Sequence, residues 1–417
     1  MSSTTKKAVI NIGTLATPLG QAARFGTQQG DLQQLQDAYV LMEDGLIKEV
    51  GTGTPDLAGI PPENILDAGG RLVTPGLVDA HTHLVFGGWR DHELQLKLQG
   101  VPYLDILAAG GGILNTVKQT REATEDALYH KAAQALDSML AEGTTTVEAK
   151  SGYGLDLETE LKQLRVVRRL HQDHPVDLVS TLMAAHALPP EYKDDRQAFI
   201  RLIIDTIIPE VARQNLAAFC DVFCETGVFT ADESRDILKA GYRHGLRSKI
   251  HADEIDAIGG SLLAGELQAI TAEHLIALED DGIAALKQGS VIACLLPATS
   301  FYLGANYARA RDLIAAGVPV AIASDFNPGS CPSHSLQFCM NLAAYNYKMT
   351  APEVLTAVTL NAAAAINRAG TAGSIEPGKQ ADLVLWEAHS LDFLCYRFGS
   401  NLVRGVVKGG DVVAGTV

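Results

Sequence analysis

Five of the chain's twelve histidines stand where an apolar run gives way to polar sequence. Two of them sit in TPGLVDAHTHL (74–84), at His81 and His83. In a strand, side chains at i and i+2 share a face, so both imidazoles would aim the same way from the end of a buried element. Neutral imidazole is a common ligand for transition metals. The alternative is two hydrogen-bonded histidines at a strand end. His251 in LRSKIHADE and Asp325 in VPVAIASDF close two more apolar runs. Together the four residues would supply three imidazoles and one carboxylate. That donor set suits zinc or iron rather than magnesium or calcium, which want mostly oxygen. No cluster of four cysteines closes a structural site, so one coordination position is expected to hold water, whose pKa the metal lowers toward about 7.

Other polar residues fall at similar places. Glu148 and Lys150 end the run TTTVEAK, His186 ends VDLVSTLMAAHAL, and His274 follows Glu273 in AITAEHL. A carbamylated Lys150 would bridge two metals, but an ordinary lysine at a strand end is the simpler reading, so one metal per chain is expected. His186 and His274 could each be a satisfied core histidine. Gly110-Gly111-Gly112 lacks the Lys-Ser/Thr of a phosphate-binding loop and reads as a mobile loop beside the site. Cys220 and Cys224 read as core packing.

Elements must hold these residues together. Eight candidate strands run over 72–81, 144–150, 176–188, 218–225, 246–254, 269–275, 290–297 and 318–326. Helical patterns lie between them. In EDALYHKAAQALDSMLAEG the apolar residues at 128, 132, 135, 136, 139 and 140 follow helical period, and Gly143 closes the run. ETELKQLRVVRRL (158–170) behaves alike. Eight β-then-α units over about 300 residues match an α/β fold of the (β/α)8 TIM-barrel type, whose active sites lie at the C-terminal ends of the strands. An open doubly wound sheet alternates too, but no GxGxxG follows the first strand. Both chain ends read as short strands with Asp44-Gly45 and Gly409-Gly410 turns. Neither end can bury much alone, and termini often lie close together. The expected organisation is therefore a small discontinuous β-sandwich domain from 1–70 and 371–417, with the barrel inserted at 71–370.

The net charge of −16 argues against nucleic acid and anionic membrane surfaces, both of which need a basic footprint. An acidic small substrate would need local positive charge. Six cysteines in so long a chain make no disulfide framework, and the N-terminal apolar run is too short for a signal peptide. No stretch approaches the roughly 18 apolar residues of a membrane span. A cytoplasmic protein is expected.

GLVDAHTHL, HADE, the SDF aspartate and GSIEPGKQADLVLW together resemble the amidohydrolase superfamily, over essentially the whole chain. More narrowly, FGGWR (86–90), AAGGGI (108–113), VEAKSGYGL (147–155), AAHALPPEY (184–192), HADEI (251–255) and SDFNPGSCPS (324–333) resemble the imidazolonepropionase family, in the same order. The resemblance implies hydrolytic ring opening of 4-imidazolone-5-propanoate to N-formimidoyl-L-glutamate in histidine degradation. It implies zinc or iron on His81, His83, His251 and Asp325. It implies substrate contacts from Arg90, Tyr153, His186 and Glu254, and product contacts from Asn327, Gly329 and Ser330. The implied partner is a small anionic heterocycle, and a second copy of the chain, as a homodimer, is compatible with the family.

Cleaving a cyclic amide needs an oxyanion donor, for which His274 and the metal are candidates. It also needs a proton for the departing ring nitrogen. Glu254 lies three residues past His251, where a turn can fold it over the site as general acid/base. Asp325 both ligates and can accept a proton, so the order in which Glu254 and Asp325 act stays open. Arg90, seven residues past His83, can reach the mouth of the site, where its planar fork matches a carboxylate. The alternative is a surface ion pair with Asp91 or Glu93. The rival functions are a deaminase of the same superfamily, whose neutral substrate needs no carboxylate clamp, and a non-catalytic barrel scaffold.

Overall fold

The computed structural model describes residues 5–101 and 111–416. Sixteen strands lie among them: β1 (Lys6–Thr17), β2 (Gln33–Glu43), β3 (Leu46–Thr52), β4 (Ile65–Asp67), β5 (Leu72–Pro75), β6 (Leu77–Asp79), β7 (Thr144–Lys150), β8 (Asp177–Ala185), β9 (Phe219–Cys224), β10 (Arg247–Ala252), β11 (Thr271–His274), β12 (Ile292–Leu295), β13 (Val320–Ile322), β14 (Leu383–Trp386), β15 (Val403–Lys408) and β16 (Asp411–Gly415).

β6 to β13 pair in chain order as one parallel sheet. The seam between its first and last strands closes just past their ends. Asp325 N–H donates to His81 O at 3.0 Å, His83 N–H donates to Phe326 O at 2.9 Å, and Thr82 bridges Phe326. Closure of the barrel therefore brings two histidines of the first unit against the aspartate of the eighth. The helix Glu125–Ala141 packs on the outside through Leu128, Ala132, Leu136, Met139 and Leu140, the three-to-four spacing of one helix face, and Thr124 caps it. The helix Leu157–Asp173 starts on an Asp156 cap in the same way. At the N-terminal end of the strands, the helix Leu360–Ala365 packs Leu360 and Ala363 with Val78, Phe219 and Ala321 and plugs the barrel.

The other sheet runs β16-β15-β14-β5-β1-β2-β3, with β4 also paired to β1. It joins both ends of the chain around a core that includes Val9, Ile12, Leu15, Val40, Val73, Leu383 and Leu385. The expected strand 72–81 is divided. Leu72–Pro75 pairs with β14 and β1 in the terminal sheet, and only Leu77–Asp79 belongs to the barrel. Gly76 is the junction, and a Cβ there would lie 2.2 Å from Thr145 Oγ1, so only glycine allows the two backbones so close. Across the terminal sheet, the fully buried Trp386 donates its indole N–H to Thr74 Oγ1 at 2.8 Å. All six cysteines are buried as free thiols. Among the described residues, no helix is long and apolar enough to cross a membrane.

Candidate metal centre and active site

His81, His83 and His251 each offer a ring nitrogen within 4.8 Å of the others, and His81, His274 and Asp325 do the same. All five residues are buried. His81 Nε2 lies 3.3 Å and His83 Nε2 3.6 Å from the same oxygen, Asp325 Oδ1. The other oxygen, Oδ2, accepts from Thr299 Oγ1 at 2.6 Å, which fixes Oδ1 toward the histidines. The His81 and His83 rings stand 5.4 Å apart, although the regular strand ends at Asp79, because bridging to Phe326 continues the extended geometry past it. His274 and Asp325 both have left-handed backbones, φ 72° and 56°. Such conformations are uncommon outside glycine and are typical of residues that a site holds in place.

The surroundings of these nitrogens fit a metal cation. His251 Nδ1 lies 3.1 Å from an Asp221 carboxylate oxygen, which leaves its Nε2 buried with no hydrogen-bond partner. His81 Nδ1 lies 2.7 Å from Glu273 Oε2. Burial disfavours a charge on His81, but Glu273 beside it outweighs burial and lifts its pKa to about 9, so this spot favours positive charge. Burial, with Asp325 opposing it, drives His274 down to about 3; burial and neighbouring imidazoles push His83 well below the ordinary range. These rings therefore stay neutral, the form in which imidazole ligates. Burial opposes the charge of Asp325, yet hydrogen bonding and attraction from His81 hold its pKa at about 2. Three imidazoles and a carboxylate with buried, unsatisfied donor atoms are what a transition-metal site requires.

Around this cluster stand the other expected residues. Glu254 Oε2 lies 3.6 Å from His274 Nε2. Burial, and then the charges of Asp325 and Glu225, raise the Glu254 carboxyl to about 8. Glu225 also accepts from the backbone of Ile255 at 2.8 Å and so shapes the turn carrying Glu254. His186 stacks on His83 at 4.9 Å, its Nδ1 is 3.0 Å from Gly152 O, and burial lowers it to about 3. The Tyr153 ring packs 5.7 Å from His83 and 5.2 Å from His186.

Arg90 is placed differently from a simple clamp. Its Nε and Nη2 each donate to Glu93 at 3.0 Å, and this ion pair is almost wholly buried rather than on the surface. Glu93 also accepts from Gly112 N–H at 2.6 Å. Arg90 Nη1 faces the turn after the eighth barrel strand, so close that a Cβ at Gly329 would be 2.1 Å from it. In that turn Asn327 Oδ1 accepts from the backbones of Gly329 and Ser330, both at 2.8 Å, and its Nδ2 donates to Ser330 Oγ at 2.9 Å. The three residues expected to contact product thus form one closed turn beside Arg90. Gly110 of the glycine run lies outside the described residues.

Lys150 bonds three carboxylates: Glu148 at 2.9 Å, Asp221 at 2.7 Å and Glu273 at 3.0 Å. Burial opposes its charge, but these neighbours hold its pKa well above the ordinary range. Asp221, Lys249, Thr299 and Glu93 were not among the expected site residues. Asp221 in FCDVFC and Thr299 in LLPATSFYL carry one signal, a charged or hydroxyl side chain inside a largely apolar run; Lys249 and Glu93 stand among other polar residues, where nothing singles them out.

The comparisons with known proteins bear on the family and the fold. Residues 183–413 match the amidohydrolase family, which defines the class: metal-dependent hydrolases. An adenosine deaminase from Xanthomonas campestris with bound zinc superposes with a TM-score of 0.71 at 20% identity, covering 99% of this chain and 93% of its own, a likeness of fold. The imidazolonepropionase of Streptococcus sanguinis (strain SK36) is 51% identical over 391 residues, 93% of either chain. That of Bacillus velezensis (strain DSM 23117 / BGSC 10A6 / LMG 26770 / FZB42) is 50% identical over 404 residues, 97% of this chain and 96% of its own. The chain belongs to the imidazolonepropionase family.

Proposed function

We propose that the protein opens the ring of 4-imidazolone-5-propanoate with water, giving N-formimidoyl-L-glutamate. One observation carries this reading: about half of all residues match imidazolonepropionases over 93% of the chain. A zinc or iron ion held by His81, His83, His251 and Asp325 would supply a Lewis acid and an acidified water at the barrel mouth. The chain's own residues do the rest. Asp325, ionised at neutral pH, can accept a proton from the attacking water. Glu254, held protonated, can deliver one to the ring nitrogen as its bond to carbon breaks. His274, held neutral, can donate a hydrogen bond to the carbonyl oxygen as it takes up charge. Tyr153 and His186 wall the side of the site next to His83. Arg90, oriented by Glu93 and lying against the 327–330 turn, can offer its remaining N–H groups to the propanoate.

Turnover of freshly generated imidazolone propanoate, followed by loss of its ultraviolet absorbance, tests the reading. Elemental analysis of the same preparation tests the metal. One equivalent of zinc or iron per chain with turnover is expected. Metal without turnover of this substrate would reject the substrate, and no metal would reject the centre itself.

A further inference from the structure

Beneath the imidazoles lies a layer of five charged side chains, Glu148, Lys150, Asp221, Lys249 and Glu273, all fully or almost fully buried. Buried charges persist only when paired and hydrogen-bonded, and removing one partner of such a pair is strongly destabilising. Here every member is paired. Lys150 touches three carboxylates. Lys249 lies 3.3 Å from Glu148 and 3.2 Å from Glu273 and donates to Ala80 O at 3.2 Å. Thr181 donates to Glu148, and Thr271 Oγ1 donates to Glu273 Oε1 at 2.8 Å.

Two of the three carboxylates face the histidines above. Asp221 is 3.1 Å from His251 Nδ1, and Glu273 is 2.7 Å from His81 Nδ1. Glu148 contacts the two lysines and Thr181. A carboxylate that accepts from one ring nitrogen of a histidine fixes the tautomer and turns the other nitrogen outward. Lys150 bonds both of these carboxylates, at 2.7 and 3.0 Å, closer than the 3.1 and 3.6 Å at which His251 Nδ1 meets them. Its ammonium also stands among Asp221, His251 and Glu273, whose donor atoms lie close enough together to hold a cation.

We infer that Lys150 is a positioning residue of the metal centre: as a tethered internal cation it holds Asp221 and Glu273 against Nδ1 of His251 and His81, so that both histidines present Nε2 to the metal. It acts through the carboxylates and touches neither metal nor substrate. The inference rests on the metal reading above. It also gives Lys150 a role different from that of a carbamylated bridging ligand.

The test compares metal affinity, measured by competition with a zinc chelator, in the wild type and three variants. Lys150→Met leaves two carboxylates without their tether and is expected to bind zinc 10- to 100-fold more weakly, the usual cost of losing an outer partner of a ligand. Because that variant also unbalances buried charge, Lys150→Met combined with Glu148→Gln removes one positive and one negative group together. This double variant is expected to melt as a cooperative fold and to show the same weakened binding. Glu148→Gln alone keeps Lys150 on Asp221 and Glu273 and is expected to bind zinc within a few-fold of wild type. Zinc affinity in a folded double variant equal to wild type would overturn the inference while leaving the metal centre intact. Should neither Lys150 variant fold, a crystal structure of the zinc-loaded wild type decides. Lys150 Nζ bonded to Asp221 and Glu273, with those carboxylates on the Nδ1 atoms, sustains the inference. A carbamylated Lys150 bound to metal refutes it. A wild type that binds no zinc or iron would fail at the earlier step, in the metal reading itself.

Discussion

Replacing Glu254 with glutamine separates proton delivery from metal binding. The amide has the shape of the acid but cannot release a proton at neutral pH. Burial, then the charges of Asp325 and Glu225, lift the Glu254 carboxyl to about 8. With that value about nine molecules in ten carry the proton at pH 7, against fewer than about one in a hundred for an ordinary glutamate. A bound cation attracts the carboxylate form, so in the loaded enzyme the value falls between the ordinary range and about 8. An acid with a raised pKa is active below that pKa and inactive above it. The rate should therefore have an alkaline limb in that interval, falling as pH rises. Glu254→Gln should abolish the limb, lower kcat by about 10²–10⁴-fold, the usual worth of a general acid or base, and leave metal content unchanged. The assay is the ultraviolet loss of imidazolone propanoate across pH, beside elemental analysis of each preparation. A variant that turns over within a few-fold of wild type would move the role to Asp325 or His274.

Three further outcomes follow from the geometry. His251→Ala should lose metal and activity together, as seen by elemental analysis and turnover, and retention of both would remove His251 from the ligand set. Arg90→Lys should weaken kcat/KM by about 10- to 100-fold, since hydrogen bonds to charged groups are worth about 1.5–3 kcal/mol each, with metal content intact. An analogue without the carboxylate should be handled equally poorly by wild type and Arg90→Lys; preference of wild type for that analogue would favour a deaminase-like substrate. Gly329→Ala places a Cβ 2.1 Å from Arg90 Nη1 and should cost on the order of 10²-fold in kcat/KM through displacement of the guanidinium; unchanged kinetics would separate Arg90 from substrate binding.

The barrel and its proposed ligands were legible because they rest on patterns that local chemistry imposes. A fully buried parallel strand reads as an apolar run, and a polar residue at its C-terminal end stands out against it. His81, His83, His251 and Asp325 were singled out this way, from three separate runs. Strand limits were less legible. The run 72–81 is continuous in apolar character, yet Gly76 hands it from one sheet to the other because Thr145 leaves no room for a Cβ. The eighth strand ends at Ile322, four residues before the expected limit, because Asp325 adopts φ 56° to swing its carboxylate toward the first strand. No glycine marks that bend.

What stayed hidden was pairing across the barrel. Glu148, Lys150, Asp221, Lys249 and Glu273 come from four strands, and a charged residue within an apolar run could as well mark the run's end as a buried partner. Only closure of the sheet brings them into one layer. The same limit applied to Arg90. Its spacing from His83 placed it at the mouth, but whether its fork faced Glu93 or the substrate depended on how deeply both were buried. In water an exposed Arg–Glu pair is worth about 0–1 kcal/mol and would yield readily to a competing carboxylate. Buried, as Glu93 is here, it resists separation, because a carboxylate stripped of its partner has no water to turn to. On the proposed reading, Glu93 stays on Nε and Nη2 while substrate binds, and the propanoate is met by Nη1, the nitrogen that faces the turn at Gly329.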